Sequence, residues 1–134
     1  MTFRCWIIAA LILASGCATP PANPVPLVGT YGGQHVRMVV GPADSEIEYD
    51  CAAGRLAGPL PARGSFVNGG SHTPGIGGPE REGEVRPAYP ATYSGRVLGD
   101  AIEMAVDVDL PGGRTRLGPF RLRRGSDGLL MRCL

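Results

Sequence analysis

The sequence has no lysine. All thirteen of its basic side chains are arginine, set against twelve acidic ones, for a formal net charge of +1. This bias fits the base composition of a GC-rich genome. It does not fit a nucleic-acid binder, which would be strongly basic, so that partner class is set aside. Histidine is scarce: His35 and His72 are the only two, and neither sits in a metal-ligand spacing. No metal or other cofactor is expected. There is no G-x-S-x-G nucleophile elbow, and Ser71 beside His72 in sequence is not a Ser–His pair in space. Asp107-x-Asp109 lacks the third acid and closing Glu of a calcium loop. No catalytic residue is assigned, and the chain reads as a non-enzyme. No apolar run reaches the roughly 20 residues that span a bilayer, and no long amphipathic helical pattern occurs.

What is present begins with a short apolar run from Trp6 to Ala14, preceded by one positive charge, Arg4. Its length suits the h-region of a secretory signal, and small residues follow it. The segment Leu13-Ala14-Ser15-Gly16-Cys17 resembles the lipobox of bacterial lipoproteins, with Ala14 where Leu is commoner. The resemblance implies that residues 1–16 are a signal peptide. It also implies that Cys17 carries lipid on its sulfur, opens the mature chain and binds it to a membrane. Ala18 is not Asp, which by resemblance to enterobacterial sorting favours the periplasmic face of the outer membrane. The alternative is an ordinary signal cut after an A-x-A-like site, with Cys17 incidental.

Removing residues 1–16 takes away Arg4 alone, so the mature chain has twelve Arg against twelve acids. Of the four cysteines, Cys5 leaves with the signal and Cys17 is consumed by lipid. Cys51 and Cys133 remain, an even pair in an oxidising compartment, where disulfides persist. Two buried free thiols are the competing reading. Residues 17–27 form the lipidated cysteine and a proline-rich, semi-stiff tether, and residues 28–134 form a single domain.

Within that domain, alternation of period two dominates. Val36, Met38 and Val40 share one face. After the turn residues Gly41-Pro42-Ala43-Asp44, so do Ile47, Tyr49 and Cys51. Weak strands are expected near 54–58 and 64–67, then a long glycine- and proline-rich loop over 69–90. Tyr93 and Val97 lead to a turn at Leu98-Gly99-Asp100, and Ile102, Met104, Val106, Val108 and Leu110 alternate with polar or small residues. Strands over 114–117 and 120–123 are expected to break at Gly118-Pro119. A last strand is expected over 129–134, with Cys133 sharing the inward parity of Leu129 and Met131. The expected fold is all-β: an antiparallel up-and-down meander of about seven or eight short strands closed as a barrel. A β-sandwich is the alternative. Glu103, Asp107 and Asp109 should face Arg114, Arg116 and Arg121 across the last hairpin, as Arg37 faces Glu46, Glu48 and Asp50.

Gly29-x-Tyr31 and the run from Tyr93 to Ile102 resemble the strand–Gly–turn–strand grammar of bacterial lipocalin-like proteins, with Tyr31 where Trp is usual. The domain as a whole is similar to small uncharacterised proteobacterial lipoproteins that open with Gly-x-Tyr-Gly-Gly and end in Arg-Cys-Leu. The resemblance brings no known activity; the leading reading is a non-enzymatic binding or structural envelope protein, with a small apolar ligand or an envelope protein as partner. Such a ligand would lie among Val36, Met38, Val40, Ile47, Tyr49, Phe66, Tyr93, Val97, Ile102, Met104, Val106 and Phe120, a set that equally well fills a small barrel. Tyr49-Asp50-Cys51 and the terminal cysteine are similar to the membrane-bound C-type lysozyme inhibitors. Their Ser-Gly-x-x-Tyr motif falls on Ser94–Leu98, where Leu98 replaces the Tyr. An inhibitor of a secreted enzyme is therefore the alternative function.

Overall fold

The computed structural model of the chain describes residues 16–19, 23–75, 79 and 81–133, so the apolar run from Trp6 to Ala14, read above as a signal, lies outside the described residues. Eight antiparallel strands close into a barrel in chain order: β1 (Gly29–Gly33), β2 (Val36–Val40), β3 (Asp44–Tyr49), β4 (Ala52–Ala57), β5 (Gly64–Pro74), β6 (Tyr89–Leu98), β7 (Ala101–Leu110) and β8 (Gly113–Arg124). Each strand pairs with the next, and β8 returns to β1. The expected closed meander therefore forms, rather than two stacked sheets.

Alternation sets the register. Met38 lies opposite Ile47, and Val36 opposite Tyr49. Gly95 pairs with Met104, Tyr93 with Val106 and Val97 with Ile102. The expected inward set is buried except for Phe120, which is half-buried. Tyr31, Met38, Tyr93, Ile102, Val106 and Leu122 have 0% exposure. A void large enough for water beside any of them would register as exposed surface, so these side chains fill the middle of the barrel. Interior packing of this kind supplies about 1.5–3 kcal/mol per large apolar side chain.

Four local expectations are corrected. First, β5 runs through residues 69–74 and β6 starts at Tyr89, so the loop covers only residues 75–88. Gly54 and Gly70, which locally favour turns, are interior strand positions here. A Cβ on Gly54 would meet the Tyr93 hydroxyl. One on Gly70 would meet the Arg55 carbonyl and stand 2.9 Å from the Tyr93 ring. These glycines make room for a buried tyrosine. Second, β8 does not break at Gly118-Pro119. Met104 pairs with Phe120 and Val106 with Leu117, so the two residues bulge opposite Ala105, where a strand tolerates a proline. Third, residues 129–133 do not form a strand, and residue 134 of the expected one lies outside the described residues. Among the described residues the tail makes one isolated bridge, Gln34 to Leu129, and it is parallel. Fourth, neither Cys51 nor Cys133 faces inward. β3 ends at Tyr49, Cys51 is an exposed turn residue at φ 59°, and Cys133 is exposed beyond the last strand.

The barrel has two distinct ends. Turns Gln34–His35, Asp50–Cys51 and Pro111–Gly112 and the loop 75–88 form one, here called the mouth. Turns at 41–43, 58–63 and 99–100 form the other. The N-terminal segment enters there: Leu27 is buried and its amide donates to the Leu60 carbonyl at 2.9 Å.

Replacing Gly70 with Ala should cost about 1–3 kcal/mol through overpacking. Gly69→Ala, with nothing within 4 Å of its Cβ, should leave the urea midpoint near that of the wild type. Equal midpoints for the two variants would contradict the tyrosine-accommodation reading.

Candidate functional site

Chemically diverse side chains converge at the mouth. The turn residue His35 has φ 65° and Cys51 has φ 59°, the two non-glycine residues with positive φ among those described. Each closes a two-residue hairpin, since Gly33 pairs with Val36 and Tyr49 with Ala52. The conformation is uncommon for residues with a Cβ. The His35 Nδ1 contacts the Asp50 carboxylate across the two hairpins.

The C-terminal tail straps this end. Beyond β8, the Gly125 amide donates to the Thr30 carbonyl at 2.8 Å. The chain then passes over the outside of β1, so closely that a Cβ on Gly32 would strike the backbone of Gly128 and Ser126. The Leu129 amide donates to the Gly33 carbonyl, and the His35 amide to the Leu129 carbonyl, both at 2.9 Å. The Met131 amide donates to Asp50 Oδ1 at 2.6 Å. A disulfide between Cys133 and Cys51, with Cα atoms 5.2 Å apart, ends the strap. The Met131 amide holds the Asp50 carboxyl below the ordinary carboxylate range; desolvation opposes it, and the His35 ring adds to the lowering.

Beneath this rim lies a cavity of about 250 Å³ lined by His35, Tyr49, Asp50, Ala52, His72, Leu117 and Phe120. Its walls are aromatic: the Tyr49 ring centre is 5.5 Å from that of His72 and 5.6 Å from that of Phe120. His72 is not the loop residue its glycine-rich surroundings suggest. It sits on β5, 7% exposed, with Nδ1 lacking a hydrogen-bond partner. Burial lowers its pKa and keeps the imidazole neutral. The Tyr49 hydroxyl is likewise buried, beside the Tyr93 hydroxyl, and burial and then Tyr93 raise its pKa. The Tyr93 hydroxyl itself donates to the Ser71 carbonyl at 2.7 Å. Buried polar atoms usually have partners, so His72 Nδ1, which has none, marks a place beside the cavity that ligand or solvent can complete.

Of the residues singled out from sequence, Cys51 and Cys133 come together, while Cys17 is an exposed free thiol. Tyr49 is the inward-facing residue that also lines the mouth with Phe120. Ser94 to Val97 lie in the β6 wall, paired on both sides, and Leu98 pairs only with Ala101 at the turn, so the segment presents no projecting loop. The arginines of β8 pair across the hairpin: Arg114 with Asp109 at 2.9 Å, Arg116 with Asp107 at 3.2 Å and Arg121 with Glu103 at 2.5 Å. Arg37 lies 3.6 Å from Glu48 and 3.7 Å from Asp127. Among the described residues, no group of three or more His, Cys, Asp or Glu side chains is placed to hold a metal ion. Sequence reasoning missed His72. Its parity with Phe66 on a common strand was the available signal, hidden by Gly69 and Gly70.

Because the folded-state pKa of His72 is lowered, the unfolded chain takes up the proton first as pH falls. The contribution of His72 to stability is therefore full above the unfolded value of about 6.5 and is lost as pH falls toward the lower folded value, at up to about 1.4 kcal/mol per pH unit. His72→Phe should flatten the fall in urea midpoint between neutral and mildly acidic pH; an unchanged fall would assign it to other groups. Cys133→Ser opens a closure spanning 82 residues and should cost about 2–5 kcal/mol. In native-state hydrogen exchange it should release the amides of Leu129 and Met131, while the β6 and β7 amides stay protected.

No protein-family model, curated protein or solved structure matches this chain.

Proposed function

We propose that the chain is a lipoprotein of the bacterial cell envelope, held by lipid on Cys17 at the periplasmic face of the outer membrane. Its barrel acts there without catalysis, as a binding or structural component that presents its mouth to a small apolar ligand or an envelope protein. One observation carries the anchored part. Cys51 and Cys133 are joined to each other, while Cys17 stands exposed and unpaired at the end of the lipobox-like segment. A disulfide supports an oxidising compartment, and a separate free cysteine after small residues is what lipid attachment requires. The binding part is supported by the mouth cavity, with its aromatic walls and the unpartnered His72 Nδ1. The filled middle of the barrel restricts any internal ligand to this end.

Expressed as the full precursor in a Gram-negative host, the wild type should incorporate labelled palmitate and fractionate with outer membranes. Cys17→Ser should lose the label and either stay unprocessed or appear in the soluble periplasmic fraction. A Cys17→Ser protein of mature size that still fractionates with membranes would overturn the anchor.

A further inference from the structure

We infer that the end of the barrel opposite the mouth is a membrane-contact face: it rests on the bilayer that holds the Cys17 lipid and turns the mouth away from it. The inference builds on the anchor reading and adds an orientation to it.

Among the described residues, five of the eight exposed large apolar side chains lie at the end opposite the mouth. Val25, Val28, Val39, Val67 and Leu98 are 39–76% exposed, and all lie at or beside the turns of this end. Leu129 and Met131 belong to the strap at the mouth, and Val85 to the loop above it. An open groove at the tether end is lined by Pro24, Val25, Pro42, Pro59, Pro61 and Val67. Prolines lack an amide donor, and of the two polar side chains in the groove, Ser65 and Asn68, the Asn68 amide already donates to the Ala57 carbonyl at 2.9 Å. The rim acids Asp44 and Asp100 face Arg55 and Arg124, which reduces repulsion from anionic headgroups, and Arg63 is exposed beside them. The groove gathers prolines and the exposed Val25 and Val67 into one apolar patch, and exposed patches of this kind mark interaction sites.

The tether selects the bilayer as its occupant. Leu27 is fixed in this end by burial and by its bond to Leu60. Seven residues lie between Cys17 and Val25, and the eight steps between them, at most about 3.6 Å each, reach no more than roughly 29 Å. The apolar rim is thus held within one short tether of the membrane. The mouth lies a further strand length away.

The mature chain provides a clean readout, because the sole tryptophan of the sequence, Trp6, precedes Cys17. Single reporters Val67→Trp, Val25→Trp and Met131→Trp would be read in the lipidated protein on phosphatidylethanolamine–phosphatidylglycerol vesicles containing acyl-chain-brominated lipid. Residues that enter the headgroup–acyl boundary sit about 5–10 Å deep, within range of the bromines. Strong quenching at Val67→Trp and Val25→Trp with none at Met131→Trp is the expected result. Equal quenching at both ends, quenching only at Met131→Trp, or none anywhere would overturn the contact face. Mass spectrometry of the mature N-terminus decides the anchor separately. Without lipid there, the same reporters are read with the chain held to nickel-chelating lipid by an N-terminal histidine tag. Quenching at Val67→Trp then upholds the face while the natural anchor falls.

Discussion

The closure between β1 and β8 is the seam on which the barrel depends. Neighbouring strands elsewhere share five or more register pairs, but only Tyr31–Arg124 and Gly32–Arg123 join β1 to β8. A sheet that failed to meet here would expose an edge on each side and open the core. Other contacts compensate for the short ladder. The Arg124 guanidinium lies 5.1 Å from the Tyr31 ring centre and donates to the Val28 carbonyl at 3.2 Å. The Arg124 amide donates to the Asp100 carbonyl at 2.8 Å. Burial raises the Tyr31 phenol pKa, and the neighbouring arginine opposes that rise. The tail then crosses the outside of β1, and Cys51–Cys133 fixes its far end. Opening the seam would require the strap to move with it.

Much of this architecture was legible because a strand with one buried face must alternate. β2, β3 and β7 do so, and a slip of one residue would turn their apolar set to water. Their inward residues were readable one by one. β4 and β5 were less legible because the feature that selects their residues is nonlocal. Gly54 and Gly70 weaken strand propensity locally, yet the Tyr93 ring occupies the space that side chains there would need. His72 was hidden by the same glycines. Parity also misplaced both cysteines. It describes a residue only while the strand lasts, and β3 ends two residues before Cys51. The disulfide itself was accessible by counting cysteines, which requires no assumption about faces.

The outer surface follows a simpler rule. Acids on β7 meet arginines on β8 in register, from Asp109–Arg114 through Asp107–Arg116 to Glu103–Arg121. Exposed pairs of this kind add about 0–1 kcal/mol each. Their larger effect is on specificity, since a shift in register would set unlike partners opposite one another. Arginine suits this role through its planar fork of donors. The basic C-terminal third is therefore largely matched within its own hairpin, which argues against a dedicated anion site on that face.

An even number of antiparallel strands has a further consequence. β1 starts and β8 ends at the same end of the barrel, so the segment leading into the first strand and the tail leaving the last emerge together. The leading segment uses that end directly, through Leu27. The tail cannot stay there if Cys133 is to reach Cys51, because the β3–β4 turn lies at the mouth. It must climb the outer wall, and the lack of side chains at Gly32 and Gly128 lets the two backbones approach. The climb leaves the proline-lined groove at that end uncovered and carries the exposed Leu129 and Met131 to the mouth along with the tail's polar backbone groups. Strand parity thus sets the entry to β1 and its groove at one end and the hydrogen-bonded strap at the other. The unpartnered His72 Nδ1 lies under the strapped end.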